Sequence, residues 1–456
     1  MSQIENHTGY EFGRGAFTPP TLPCVTSDNS VGGLWPPEEF GEYLLCTDYE
    51  SSKVNIKHVG TEKISYKIIN YDKSWCHPEY DELMKYRSVI IGKKGSTPET
   101  LHFQQQLLCF SPPKSMDYDR FIEKYPANQF YMTENICINE IVEGTMLNLF
   151  YDSRTESWQL ATKSAVGANY SYYNYNILED SNDPKTRKLL TFRDMFMDAL
   201  DEPHYVDINK AAFIPMLDKT HCYSFVLQHP QNHIVLPVIQ PAIYLVALYK
   251  IKNYTNAIAT AQYIPLNEAK KWSCLKHSKI RFPTELTEVT YNYEQIKNTF
   301  CSGYSYPYLP GFMFTEQKTG DRITMRNERY EYIKELRGNY SHVQYLYLNL
   351  MRTGRLMEFL QWFPIYKKLF YKNYELYKKF VESVHNAYMD LSVHKHKNLS
   401  IDSNIKYIIH RLNSEVFIPS LKGERVIITR RVVWRYLLDN ISPNMVMYYM
   451  VHIPAQ

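Results

Sequence analysis

Apolar and polar positions first alternate along the chain and then fall into a helical period. From about residue 66 to 335, apolar residues come in short alternating runs separated by turn residues, the pattern of sheet with interspersed helices. The clearest hairpin spans Glu140 to Thr162. Residues 145, 147, 149 and 151 share one face, Asp152 to Glu156 form a polar connection, and Trp158 to Thr162 return. A buried strand pair is expected at Tyr223–Gln228 and Ile234–Tyr249, joined by the turn His229-Pro230-Gln231-Asn232. Upstream, residues 1–65 carry the breakers Pro19-Pro20, Gly32-Gly33 and Pro36-Pro37 and read as an irregular N-terminal extension. After about 336 the spacing becomes i, i+3, i+4, i+7. Val343, Leu346, Tyr347, Leu350 and Met351 follow it, as do Leu356, Phe359, Leu360 and Phe363 before Pro364. Leu369, Phe370, Tyr377, Phe380, Val381, Val384, Tyr388 and Leu391 stripe a further long helix, and Thr429 can N-cap a last one through about Asp439. The expected architecture is α+β: antiparallel sheets with helices over 66–335, then an all-α C-terminal domain over 336–456.

Composition narrows the class. Tyrosine is 40 of 456 residues while Gly is only 17 and Pro 24, which excludes disordered, collagen-like and linker-like chains. The most apolar stretch, Ile234 to Tyr249, is too short for a membrane span and is interrupted by Pro237, Gln240 and Pro241. Met1 to Pro20 lacks the apolar centre of a secretory signal. The eight cysteines are scattered without a CxxC pair, which suits reduced thiols and an intracellular, cytoplasmic setting. Cys274 and His277 have local ligand spacing but no second pair beside them, so no metal site is expected.

Charge is uneven. The formal net charge is +3. Residues 341–456 hold 16 Lys/Arg against 8 Asp/Glu, a net of +8, and the remaining 340 hold 35 against 40, a net of −5. In the basic region Lys367, Lys368, Lys372, Lys378 and Lys379 interleave with Tyr366, Tyr371, Tyr374 and Tyr377, and Arg430, Arg431 and Arg435 surround Trp434. Basic side chains neutralise phosphates and aromatic rings stack on bases. A solvated helix face beside a tyrosine-rich core edge is the plainer alternative.

The P-loop, GxGxxG, HExxH and GxSxG patterns are absent, and Gly92-Lys93-Lys94-Gly95-Ser96-Thr97 is only a distant echo of a P-loop. One run is more specific. Val142-Glu143-Gly144-Thr145-Met146-Leu147-Asn148-Leu149-Phe150-Tyr151, followed by Trp158 to Gly167, resembles the start of the catalytic core of covalent nucleotidyltransferases. It is most similar to phage-type RNA ligases and their relatives in large DNA viruses. In that family a Lys-x-Asp-Gly motif begins a strand and a hairpin leads to a Ser-Lys/Arg-Gly motif, where this chain has Thr162-Lys163-Ser164. Arg87 to Ile91 and Leu107 to Lys114 resemble the segments upstream of the lysine motif. Phe225 to Leu236 is similar to the Phe-Glu strand and the Pro-x-Asn-x-Ile-Val that follows. Pro310 to Met313 stands at the Glu-Gly-aromatic-Val position and Arg322 to Tyr330 at the Lys-x-Lys strand. The resemblance covers roughly 66–340 and implies the nucleotidyltransferase, ATP-grasp-like ligase fold.

It also implies a chemistry that this chain is poorly equipped to perform. Family members attack the α-phosphate of ATP or GTP with a pKa-lowered lysine, assisted by magnesium and acidic residues. Here Ile141 occupies the lysine position, Glu143 the aspartate, Val226 and Pro310 two glutamates, and Thr324 and Arg326 the strand lysines. The resemblance therefore points to a degenerate scaffold with no catalytic residue and no cofactor. If the fold is still active, it is an ATP-dependent RNA ligase or nucleotidyltransferase using ATP and magnesium, with Lys163 as a relocated nucleophile. Arg87, Lys114, Glu143, Lys163 and Arg326 are the cleft candidates for nucleotide or nucleic acid, and Lys378, Lys379, Arg430 and Arg431 the candidates on the basic helices. As a plain hairpin, Glu143 and Lys163 would instead form a cross-strand pair. Expected partners are RNA or DNA, with no membrane. A third reading is a structural or interaction protein of a large DNA virus with protein partners at its tyrosine-rich surfaces.

Overall fold

Among the described residues, the β-prone runs assemble into three sheets in which every strand pairing is antiparallel. The computed structural model describes residues 40–60, 64–75, 81–94, 105–126, 135–173, 189–254, 257–287, 292–395 and 401–452. Residues 1–39 and the Gly95-Ser96-Thr97 stretch lie outside the described residues. The strands are β1 (Glu42–Cys46), β2 (Val54–Gly60), β3 (Ile64–Tyr71), β4 (Val89–Lys94), β5 (Gln105–Phe110), β6 (Ile136–Glu140), β7 (Thr145–Asp152), β8 (Ser157–Ala161), β9 (His221–Gln228), β10 (Ala242–Asn253), β11 (Ile258–Ile264), β12 (Gly311–Glu316) and β13 (Arg322–Arg326). A six-stranded sheet runs β1-β11-β10-β9-β7-β8, a four-stranded sheet β2-β3-β4-β5, and a three-stranded sheet β13-β12-β6.

Strand β9 shows why its sequence reads as a continuous apolar run. It lies mid-sheet with both faces covered, so all but its last residue are buried. Tyr223, Phe225 and Leu227 face a core capped by helix α2 (Phe192–Ala199), with Leu147, Leu149 and Phe196. Cys222 faces the four-stranded sheet with Ile68, Ile90 and Cys109. The hairpin β7–β8 has the expected strands and the expected turn, with Tyr151 opposite Trp158.

Two stretches differ from the sequence reading. The irregular extension expected up to residue 65 is regular from residue 42 on: β1 pairs with β11, and β2 pairs with β3. The apolar residues there are too few for a visible period, and partner strands far along the chain supply the pairing. The second strand of the expected pair begins at Ala242, not Ile234. Pro237 and Pro241 lack ladder donors, and the N–H groups of Val235 and Leu236 are donated to the Glu143 carboxylate.

Outside the sheets, α1 (Tyr118–Lys124) and α3 (Tyr293–Phe300) pack on the three-stranded sheet through Phe121, Tyr293 and Ile296. Then come α4 (Glu328–Arg337), α5 (Val343–Thr353), α6 (Leu356–Trp362), α7 (Lys367–Tyr388), α8 (Ser403–Leu412), α9 (Arg430–Asn440) and α10 (Pro443–Val451). The stripe on α7 buries Phe370, Tyr377, Phe380, Val381 and Val384 against α5, α8, α9 and α10. Full burial of each such side chain contributes about 1.5–3 kcal/mol. Thr429 caps α9 by accepting the Val432 N–H at 3.4 Å. This helical core also takes in Tyr173 and Val235. Its packing is therefore continuous with the loops beside the six-stranded sheet.

Candidate functional site

The three sheets and α4 surround a cleft of about 930 Å³, within the range that holds a small-molecule ligand. Its wall is built from the entry to β4 (Arg87), the segment after β5 (Pro112 to Asp117), the β6–β7 junction (Asn139 to Gly144), Val226 of β9, Tyr249 of β10, and Arg322, Thr324 and Arg326 of β13. Tyr330 and Lys334 of α4 close one side. The cationic groups on the lining are Lys85, Arg87, Lys114, Arg120, Lys124, Arg322, Arg326 and Lys334, against Glu82, Asp117, Glu140, Glu143 and Asp321. The cleft is thus net positive, although the part of the chain that forms it is net negative.

Gly144 makes the β6–β7 corner possible. Its φ is +154°, and a Cβ there would sit 2.3 Å from the Leu227 carbonyl oxygen. That corner turns Glu143 inward, where it is 6 % exposed. Both carboxylate oxygens accept: the Val235 N–H lies at 3.0 and 3.1 Å, the Leu236 N–H at 3.0 and 3.3 Å, and the Tyr330 hydroxyl donates at 2.6 Å. Burial pushes the Glu143 carboxyl up, and these donors pull it part of the way back. These contacts take the place of the expected Glu143–Lys163 pair. Glu143 lines the cleft but ties the β6–β7 corner to the loop after β9 and to α4. His229 and Asn232 shape that loop as expected: His229 accepts the Gln231 N–H at 3.1 Å, and Asn232 donates to the Thr145 hydroxyl at 2.8 Å.

Arg87 is the opposite case. It is half-buried in the cleft, with no partner for its guanidinium among the described residues. Burial, and then the positive charge of Arg322, which donates to the Pro113 carbonyl, push its pKa down to about 10. A desolvated arginine beside another arginine is unfavourable until an anion supplies the missing charge. Arg326 pairs with Glu331 at 3.0 Å and Lys334 with the same carboxylate at 3.3 Å. Lys114 is exposed.

The positions expected to hold catalytic groups are accounted for. Ile141 lines the cleft, and its N–H donates to the Gly311 carbonyl at 2.8 Å. Lys163 is exposed and off the lining, with its ammonium 5.3 Å from the ring centre of Tyr71, which does line it. Its carbonyl accepts the Ser88 hydroxyl at 3.0 Å. The carboxylates on the lining each have a protein partner. Glu140 accepts from Thr284, Asp321 pairs with Lys124 at 2.6 Å, Asp117 caps α1, and Glu82 pairs with Lys85. No group of three or more His, Cys, Asp or Glu able to hold a metal ion occurs among the described residues.

Five cationic residues on the lining were missed by the sequence reading: Lys85, Arg120, Lys124, Arg322 and Lys334. Arg322 had a signal, since alternation on β13 puts 322, 324 and 326 on one face. Lys334 had none, because only the packing of α4 brings it to the cleft. The four basic candidates of the C-terminal region lie away from the cleft. Lys378 and Lys379 are exposed on α7, and Arg430 and Arg431 are exposed on α9. Arg430 pairs with Glu382 at 3.4 Å. No helix among the described residues is long and apolar enough to cross a membrane.

No protein-family model matches the chain. It is 24% identical over 156 residues to an RNA ligase of Rhodothermus phage RM378, covering 34% of this chain and 30% of that ligase. It is 22% identical over 335 residues to the immediate-early protein ICP-46 homolog of Invertebrate iridescent virus 6, covering 69% of this chain and 67% of that protein. The chain therefore spans less than a third of the phage ligase and about two thirds of the iridescent virus protein. Similar solved structures include an archaeal ATP-dependent RNA ligase (10% identity, TM-score 0.35, 78% of this chain and 72% of that one). A Naegleria gruberi RNA ligase mutant with ATP and Mn is another (9% identity, TM-score 0.29, 65% and 99%). The resemblance to RNA ligases and viral relatives, first visible in the order of the motifs, is recovered at low identity.

Proposed function

We propose that the chain is an RNA-ligase-like protein whose core, from residue 42 to about 335, binds a nucleotide or the phosphate of a nucleic acid without forming a lysine–nucleotide adduct. A basic helical domain over 336–456 completes it. The observation that carries the reading is the uncompensated Arg87 beside Arg322 in a net-positive cleft that has Ile141 at the nucleophile position. An amine is needed for the adduct, and isoleucine has none. Glu143, whose oxygens are taken by Val235, Leu236 and Tyr330, acts as a structural tie. Arg87, Arg322, Arg326, Lys334 and Lys114 are the groups that would hold phosphate oxygens. Magnesium would enter with a bound triphosphate, since the cleft carboxylates are committed elsewhere.

The test is incubation of the full chain with α-labelled ATP or GTP and magnesium or manganese, followed by denaturing electrophoresis, with calorimetry for non-covalent binding. No covalent label and saturable nucleotide binding, weakened about tenfold by Arg87→Ala, are expected. An acid-labile covalent label would overturn the reading, and its loss in Lys163→Ala would install the relocated-lysine enzyme instead. If neither nucleotide nor nucleic acid binds, the interaction-protein reading takes its place.

A further inference from the structure

The helical domain carries a surface that its own packing does not explain. Tyr371 is 65 % exposed and Tyr374 40 % exposed. Their rings are stacked, with centroids 6.4 Å apart and planes at 27°. Trp434 of α9 extends the row, 5.6 Å from the Tyr374 ring. Below it, the buried Tyr377 meets the Trp434 ring edge-on at 4.5 Å and donates to its carbonyl at 2.8 Å. The inner end of the aromatic row is thus fixed and the outer end faces solvent.

The setting of the row is cationic. On α7, Lys367, Tyr371, Tyr374 and Lys378 follow at spacings of four, three and four, which places them along one side of the helix over about 16 Å. Arg431 lies one turn before Trp434 on α9, and Lys367, Lys378 and Arg431 are all exposed. Of the acids on this side of α7, Glu382 is paired with Arg430 and Glu375 is half-buried. The core of a protein–protein interface is depleted in lysine, whereas aromatic rings flanked by lysine and arginine match the bases and phosphates of an unpaired strand.

We infer that the α7–α9 face is a docking surface for single-stranded nucleic acid, with Tyr371, Tyr374 and Trp434 stacking on bases and Lys367, Lys378 and Arg431 neutralising phosphates. This deepens the nucleic-acid half of the function proposed above and rests on it. The surface lies apart from the cleft, so a strand held here leaves the cleft open to its own ligand.

The test is fluorescence anisotropy of the full chain with labelled oligo(U), oligo(dT) and a duplex of the same length, at about 50 and 200 mM salt. Tyr371→Ala/Tyr374→Ala should weaken single-strand binding tenfold or more while leaving the salt slope unchanged. Lys378→Glu/Arg431→Glu should weaken it and flatten the slope by about one to two units. All four side chains are exposed, and thermal melts check that the variants fold. Nucleotide binding by calorimetry is run in parallel on the same variants. Unchanged nucleotide binding with lost strand binding supports this surface. Lost strand binding in Arg87→Ala, with no effect of the tyrosine pair, would overturn it and leave the cleft reading standing. The inference is also overturned if no oligonucleotide binds, or if the duplex binds as tightly as the single strands. It falls as well if the tyrosine pair changes only the oligomeric mass, which would make the face a protein interface. Any ranking of oligo(U) against oligo(dT) with both tighter than duplex supports the inference and identifies the strand chemistry.

Discussion

At the scale of single residues, Glu143 joins three parts of the fold: its carboxylate meets two backbone N–H groups and the Tyr330 hydroxyl. Glu143→Ala would strand two buried donors and one half-buried donor, each buried one worth about 1–3 kcal/mol when unsatisfied. A fall in melting temperature corresponding to roughly 3 kcal/mol or more is expected, with a smaller fall for Glu143→Gln, which keeps one acceptor. Gly144→Ala should also destabilise, since the φ of +154° and the nearby Leu227 carbonyl leave no room for a Cβ. Both residues were legible in the sequence as a motif, but their partners, some 90 and 187 positions away, were not. His233 offers a pH test. Burial, and then the Arg337 charge, push its pKa down to about 4 from 6.5. Between those values the unfolded chain binds the proton and the folded chain does not, so stability rises with pH across the window and is lost on acidification. The effect is on the order of 3 kcal/mol. Melting temperatures from pH 4 to 7 should slope less steeply in His233→Leu than in the parent.

Whole elements are joined by groups that local patterns do not announce. The β7–β8 turn reads simply as polar, yet Asp152 is fully buried and Arg154 is 5 % exposed. Arg154 donates to both Asp152 oxygens, at 2.9 and 2.7 Å, and to the Ser65 and Lys93 carbonyls at 2.9 and 2.6 Å. Tyr66 donates to Asp152 at 2.9 Å. The turn thus fastens the six-stranded sheet to the four-stranded one, and Gly92 leaves the space for it, since a Cβ there would lie 2.6 Å from the Arg154 guanidinium carbon. Arg154→Ala would leave a buried carboxylate without its cation, and a loss of about 3–5 kcal/mol is expected in thermal or denaturant melts. Helices were easier to read. Those of the C-terminal region bury a wide apolar stripe, and the 3.6-residue period survives because their outer faces meet water. Strand β9 lost its period because both of its faces are covered.

On the scale of the whole molecule, charge is sorted twice. Sequence counting separates a basic C-terminal region from a mildly acidic remainder, and folding then gathers basic groups of that remainder around one cleft. The two cationic surfaces should act independently. Arg87→Ala combined with Arg326→Ala is expected to weaken nucleotide binding at least tenfold with little change in oligonucleotide affinity. Lys378→Glu/Arg431→Glu should do the reverse, with the loss concentrated at low salt because exposed charges are screened. Calorimetry and anisotropy on the same preparations check both halves. No catalytic turnover is needed for either measurement.

By itself, the sequence determined what depends on neighbours in the chain: the hairpin of β7 and β8, the helical period after residue 336, the caps at Thr429 and in the 229–232 turn, and the order of motifs resembling RNA ligases. Only the tertiary structure decided which charges face one another, because contact between residues hundreds of positions apart leaves no local pattern. It made Glu143 a tie and moved Lys163 off the cleft. It set Arg87 and Arg322 on one cleft with no carboxylate paired to either among the described residues, and left Tyr371 and Tyr374 stacked in solvent.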